Sequence, residues 1–464
     1  MNDENLVNDV EAETEVEDAY SLNAATVDGI LAAVELSATD RLHELLGKLH
    51  EADIADLLEQ ITIPERHKLL DVWGENLDGA VLYELEEGVR DEILEYLDDK
   101  VIASAVQDME TDDVVYLVED LNEDQQERLL EALDDADRVA VEASLQYDED
   151  TAGRLMSREM VTAPEHWSVG EAIDYMRDSD DLPEDFYKII LVDPRMHPVG
   201  TVMLGRIMAH KRDVKLADIA DMDPRLIPVD QSDEDVAYAF NQYHMISAPV
   251  IDAHGRLVGV ITIDDAMEVL EDEAEEDMKR LAGLGDEEIT DSIWETAKQR
   301  FPWLAVNLVT AILASLVIAQ FEATITAIVA LAVLMPIVAS MGGNAATQTL
   351  TVAVRALATR DLTSSNAMRI IRREAMVGLG NGIVFAVLIG IVGLFWFGSP
   401  MLGVVIAMAM VINMLVAGLA GILIPMGLER AGADPALASG AFVTTVTDIV
   451  GFFAFLGLAA ALLL

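Results

Sequence analysis

Apolar positions along the chain follow three different rhythms. Up to about residue 150 they recur at helical spacing between acidic faces, as in Asp53–Ile61, Ala80–Glu87 and Asp112–Leu121. Such segments predict short amphipathic helices, and their loose relation at about 30 residues predicts stacked helical repeats. From there to about 275 the apolar runs are short and bounded by turn residues, which predicts strands alternating with helices. Beyond 300 the polar face disappears. Five runs, about 301 to 320, 324 to 341, 374 to 397, 401 to 427 and 436 to 464, are long enough to cross a hydrocarbon core of about 30 Å.

The middle region is an internal duplication. Ile190–Met208 matches Pro249–Met267, with Asp193 and Asp252, Gly200 and Gly259, and Met208 and Met267 each 59 residues apart. Each copy reads as strand, turn, strand, helix, preceded by Met156 or Met222, a short strand around a proline and a further helix. After the second copy a helix beginning near Asp264 continues to Leu281, its apolar stripe formed by Met267, Leu270, Ala274, Met278 and Leu281.

These rhythms divide the chain into an acidic disordered tail (1–20), a helical N-domain (21–150), two α/β modules (151–213 and 214–275), a connecting helix (276–299) and a five-span membrane part (300–464). The tail lacks a basic start and an apolar core, so no signal peptide is expected. The predicted fold class is multidomain: an all-α helical-repeat N-domain, a tandem α/β pair, a connecting helix and a five-helix α transmembrane domain.

Charge sharpens this division. The net charge is −55, and from residue 301 on six acids balance six bases, so the whole excess lies in the first 300 residues. Nucleic acid is excluded as a partner, because phosphate neutralisation needs clustered Lys and Arg. With no Cys and only eight His, the remaining ligand chemistry is oxygen, which suits hard cations such as Mg²⁺. An acidic surface kept for solubility or a salty cytoplasm is the alternative. Arg355, Arg360, Arg369, Arg372, Arg373 and Arg430 fall in alternate loops, placing the N-terminal domains in the cytoplasm and Leu464 outside.

Two membrane stretches carry candidate chemistry. Asp448 lies within the last run, roughly 24 Å from its end at about 1.5 Å per residue. A carboxylate there costs several kcal/mol unless it meets water, a cation or a partner. Helical spacing puts Thr444, Thr445 and Gly451 on its face, a stripe that reads as a cation path. The second run ends in Pro336 and Gly342-Gly343-Asn344, where the helix is expected to be distorted near Asn344, with a glycine-packed helix interface as the alternative.

The duplicated modules resemble tandem cystathionine-β-synthase-type (CBS) modules, which form a clamp for adenine nucleotides. The second copy carries that family's phosphate and ribose pattern at Thr262 and Asp265. The first has Met203 and Arg206 there, so at most one cleft is competent for ATP, and a purely structural pair is the alternative. The chain as a whole resembles the MgtE family of Mg²⁺ channels, on Tyr147–Gly153, Phe321-Glu322, Pro336 with Gly342-Gly343-Asn344 and Gln348, Arg355–Arg360, and Asp434–Ser439 leading to Asp448. The resemblance implies that Asp448 binds the permeating Mg²⁺ with Asn344 nearby, and that the connecting helix is a gating plug. Thr444 and Asp434 join the candidate metal set. It further implies regulatory Mg²⁺ sites at Asp112, Asp113, Asp264, Asp265, Glu268, Glu276 and Asp277. Ala346 and Ala441 depart from the family pattern where Gly and Pro are common, and His244 stands where an acid can occur.

Since one chain offers one mid-membrane acid, a homodimer facing two Asp448 side chains across an axial pore is expected. The expected function is a Mg²⁺ uptake channel in the cytoplasmic membrane, closed by cytoplasmic Mg²⁺. An ion-coupled exchanger and a membrane-anchored nucleotide sensor are the alternatives. No nucleophile, base or catalytic metal constellation points to an enzyme.

Overall fold

The computed structural model describes residues 22–464, apart from 108, 120, 180–181, 184–185, 286 and 288–292; the side chains of Asp99, Glu123, Asp124 and Glu295 are also left undescribed. The acidic tail expected at 1–20 lies outside the described residues. The chain divides into two compact units, residues 1–271 and 272–464.

In the first unit the amphipathic segments form short helices, from Ala24–Glu35 to Asp135–Ser144. Their apolar stripes meet in one core running from Ile30 to Val141, with Leu57, Leu58, Leu82, Ile93 and Leu117 fully buried. Local sequence sets the helix starts. Thr62 pairs reciprocally with Glu65, and Asn122 with Gln125, as capping boxes that satisfy backbone donors at each start.

The duplicated segment folds twice in the same way. Strands β1 (Thr162–Pro164), β2 (Lys188–Val192) and β3 (Pro198–Met203) form one sheet, and β4 (Ile227–Pro228), β5 (Ser247–Ile251) and β6 (Leu257–Thr262) form another. In each, the first pair is parallel and the second antiparallel, with a register shift at Leu191/Val192 and again at Val250/Ile251. The 59-residue period reaches the turns. Asp193 and Asp252 each accept backbone N–H groups of the following loop, and Met196 and Gly255 occupy the same left-handed position at φ 64° and 77°. Glycines at 200 and 259 let strands pass close to Met222 and Met156, where a Cβ would lie 3.1 and 2.7 Å from the sulfur atoms. That pairs the two methionines singled out by the repeat.

Among its described residues the second unit has five helices apolar and long enough to span a membrane: Thr296–Ala319 within the helix Ile293–Ala319, then Ala330–Ala358, Ala367–Phe397, Pro400–Arg430 and Gly440–Leu463. The fourth is the most enclosed. It packs on the third through glycines, with Gly378 against the carbonyl of Met414 and Gly418 against that of Glu374, the close approach that membrane helices use in place of a hydrophobic drive. Two expectations change here. The second span is an unbroken helix through Pro336 and Asn344, so the glycines serve packing and not a break. The helix expected to begin near Asp264 and run to Leu281 occupies Ile263–Ala282, so the connecting helix starts within the second α/β module, ahead of the 276 boundary drawn from the sequence, and the next helix starts at Ile293. Of its stripe, Met267, Leu270 and Met278 are exposed on the single chain.

Candidate metal and permeation sites

In the first unit, carboxylates from distant segments converge. Glu110, Asp112 and Glu159 each present an oxygen, all within 4.8 Å of one another. Glu159 is held in place by the start of the Thr111–Glu119 helix: Thr111 donates from Oγ1 at 2.6 Å and from its backbone N at 3.3 Å, Ser157 Oγ donates at 2.8 Å and the Arg158 backbone at 3.0 Å. The helix thus receives its capping carboxylate from a separate segment, where its dipole favours negative charge.

Burial, reinforced by mutual repulsion, pushes these acids up. Glu110 is raised to about 7 by burial and the charge of Glu159. Asp113 is raised to about 7 by burial and by Glu110, Asp265 and Glu268. Asp112 is raised well above the ordinary aspartate range by burial and by Asp265 and Asp113. Asp265 rises to about 6 by burial, although the Thr262 backbone N–H, donating at 2.9 Å, works the other way. Hard oxygen donors that resist ionisation together are a donor set a divalent cation fits. Glu268 accepts the hydroxyl of Tyr83, and Asp264 that of Thr262.

The signal for Glu110 and Glu159 was absent from the sequence reading, because neither lies in a motif. Thr262 and Asp265, assigned to nucleotide, are bound to each other, Thr262 Oγ1 donating to Asp265 at 2.9 Å. Thr262 lines a narrow cleft together with Phe186, Tyr187, Lys188, Pro249, Glu110 and Glu159, whereas Asp265 is not among its walls.

In the second unit, Asp448 is half-buried on the fifth span, about 12 Å from that helix's first residue at 1.5 Å per residue. Gly343 packs on Thr444, where a Cβ would lie 3.2 Å from its methyl, and Gly440 approaches Thr347. These contacts join the Asn344 helix to the Asp448 helix, and Asn344 itself is exposed. Thr444 and Thr445 donate back to the carbonyl of Ala441 at 3.0 and 2.7 Å, leaving their oxygen lone pairs as acceptors. Asp434 is placed differently from the metal-ligand expectation. One of its oxygens caps Ala436 N at 2.7 Å and the other receives Arg280 Nη1 at 2.5 Å. Glu276 pairs with the same Arg280, and Asp277 is also engaged.

Asn413 was missed by sequence. Fully buried in the fourth span, it donates to the carbonyl of Val338 at 2.8 Å and lies between Gly342 and Gly451. Polar side chains inside spans are ordinarily kept for a reason, and this one ties the second, fourth and fifth helices together.

Comparison with known proteins follows this anatomy. Residues 335–458 match the family model described as divalent cation transporter, residues 49–150 the MgtE intracellular N domain, and 152–213 and 216–272 the CBS domain. The magnesium transporter MgtE of Enterococcus faecalis is 36% identical over 315 residues, covering 68% of this chain and 70% of that protein. That of Thermus thermophilus is 31% identical over 457 residues, covering 93% and 97%. A crystal structure of the cytosolic domain of the Mg²⁺ channel MgtE in complex with ATP aligns at TM-score 0.49 and 26% identity, over 52% of this chain and 99% of that one. The protein is therefore a multi-pass membrane transporter of divalent cations and not an enzyme. It belongs to the MgtE family of magnesium transporters.

Proposed function

We propose that the protein is a Mg²⁺ channel of the cytoplasmic membrane, working as a homodimer and closed by cytoplasmic Mg²⁺. The carrying observation is Asp448, half-buried within the fifth span beside the helix of Asn344. Mg²⁺ gives up its waters reluctantly, so a suitable pore ligand is one or two carboxylates facing a largely hydrated ion. Two-fold symmetry supplies the second Asp448. Asn344 and the lone pairs of Thr444 supply neutral oxygen and amide contacts to that hydration shell.

Gating follows from the acids of the first unit. Bare, Glu110, Asp112, Asp113, Glu159, Asp265 and Glu268 repel one another, and Mg²⁺ reverses that interaction. Ions that bind the compact arrangement more tightly shift the population toward it, and a shift from 1:99 to 99:1 needs about 5.5 kcal/mol of differential binding, hence several sites. Asp264, Glu276 and Asp277 extend the acidic surface along the connecting helix. With the N-terminal domains cytoplasmic and Leu464 outside, this makes uptake respond to internal Mg²⁺. ATP is the nucleotide the CBS cleft suits: Phe186 and Tyr187 offer apolar and aromatic walls, Lys188 a cation, and Thr262 a hydroxyl.

Proteoliposomes loaded with a Mg²⁺ indicator test the pore. Asp448→Ala should leave a dimer on size exclusion and abolish flux. Parent-like flux through that variant would remove Asp448 from the pathway.

A further inference from the structure

We propose that the third span carries a binding site for an anionic phospholipid, with three arginines for the phosphate and an open face below them for an acyl chain. The inference requires only that the spans sit in a bilayer.

Its first element is charge. Arg369, Arg372 and Arg373 project from the first two turns of the helix Ala367–Phe397, and all three are exposed. Positions i, i+3 and i+4 share a helical face, and these side chains line an open groove with Met368, Met376 and Val377. Arg373 lies 3.9 Å from Glu374, beyond direct hydrogen bonding. Among the described residues Arg369 and Arg372 have no acidic partner, in a chain whose net charge is −55.

Depth is the second element. From Ala375 to Phe397 the helix carries no charge, and at about 1.5 Å per residue this stretch spans roughly 33 Å, the thickness of a hydrocarbon core. Trp396 and Phe397 mark the opposite interface. Arg372 and Arg373 then stand within a turn of the apolar boundary, at the level of lipid phosphates. A guanidinium binds phosphate through paired N–H donors.

The outward surface below them is the third. The arginine face continues as Met376, Leu379, Ile383, Val387 and Ile391, all exposed. Gly380 lies on this face, and a Cβ there would meet nothing within 4 Å. Its neighbours behave differently: at Gly378 and Gly382 a Cβ would fall 2.6 and 3.1 Å from backbone atoms of the fourth span. Those two glycines are explained by helix packing and Gly380 is not. It leaves the face open between Met376 and Ile383, about two turns beneath the arginines. Charge complementarity favours an anionic lipid over a zwitterionic one, since a cytoplasmic leaflet rich in anionic lipid attracts juxtamembrane basic residues.

Full-length protein equilibrated with vesicles of equal POPG and POPC, then examined by native mass spectrometry, tests the proposal. The parent should retain POPG over POPC by at least about five-fold, the preference that a single basic contact of about 1 kcal/mol provides. R369Q/R372Q/R373Q should bring the ratio near one, and Gly380→Leu should reduce POPG retention with the arginines intact. Millimolar inorganic phosphate should not displace the lipid. Equal retention of both lipids by the parent overturns the proposal, as does a triple variant with the parent's preference. Displacement by phosphate alone would make the site a free-anion site and defeat it equally. Loss of the dimer in the triple variant would assign the stripe to contact between copies. If the triple variant does not fold, Gly380→Leu decides: unchanged POPG retention refutes the site.

Discussion

Arg280, near the end of the connecting helix, forms an ion pair with Asp434, between the fourth and fifth spans, with Nη1 2.5 Å from Oδ2. Arg280 also holds Glu276, one turn back on its own helix. The adjacent Leu281 reaches the start of the fifth span, its carbonyl 3.7 Å from where a Cβ of Gly440 would be. The connecting helix is thereby fastened to the helix that carries Asp448.

If that fastening holds the closed state, Arg280→Ala and Asp434→Ala should each raise the internal Mg²⁺ needed for half inhibition by about two- to five-fold. The pair is only partly buried, with about a third of each side chain exposed, so its worth is that of a modest surface pair. The swapped double variant R280D/D434R should recover part of the loss. Patch recordings across a series of internal Mg²⁺ concentrations read the shift; single variants that close where the parent does would exclude a latch.

The acids around Glu110 make stability depend on pH in a direction that Mg²⁺ should cancel. Glu110 and Asp113 are raised to about 7 and Asp265 to about 6, from ordinary values near 4. Between those limits the folded state holds more protons than the unfolded one, so stability falls as pH rises from about 4 to 7. In EDTA the melting temperature of the full chain should be lower at pH 8 than at pH 5.5. Saturating Mg²⁺ should raise it by several degrees, about 3–6 °C, at pH 8 and much less at pH 5.5. Glu110→Gln with Asp112→Asn should raise the EDTA value and shrink the Mg²⁺ response. Identical Mg²⁺ shifts in the double variant and the parent would argue against these ligands.

Gly342 is predicted to be intolerant of any side chain. A Cβ there would lie 2.1 Å from Asn413 Nδ2, and Asn413 has nowhere to move because Gly451 confines it from the other side. Overpacking of this kind costs about 1–3 kcal/mol. Gly342→Ala should lower thermal stability and Mg²⁺ flux together. Gly427→Ala, on the fourth span where a Cβ meets nothing within 4 Å, should change neither.

The cleft lined by Thr262 should take ATP with Mg²⁺ present, because Glu110 and Glu159 at its edge repel a bare triphosphate. Calorimetry on the full chain should show heat for ATP with Mg²⁺ and about ten-fold weaker binding for Thr262→Val, the loss expected for about 1.4 kcal/mol of hydrogen bonding. Equal binding in EDTA and Mg²⁺ would contradict the role given to the acidic edge.

The five spans, the 59-residue duplication and Asp448 were legible in the chain because each is written in local order. Hydropathy over some 20 residues needs no partner to be read. Tandem copies declare themselves by matching Asp193 with Asp252 and Gly200 with Gly259. Pro336 and the paired glycines misled for the same reason: as local signals they suggest a break, but neighbouring helices can absorb a proline, and Gly342 is occupied by packing against Asn413.

What the sequence determined by itself is therefore the set of elements, their order and the one acid within the last span, all properties of residues close together along the chain. Only the tertiary structure decided that Glu110 and Glu159 join Asp112, that Asp434 faces Arg280 from 154 residues away, and that Asn413 sits between Gly342 and Gly451. These pairings are set by which helix faces and loops pack together. No local period encodes that choice, since the free energy that selects it comes from burial and close contact summed over the whole unit.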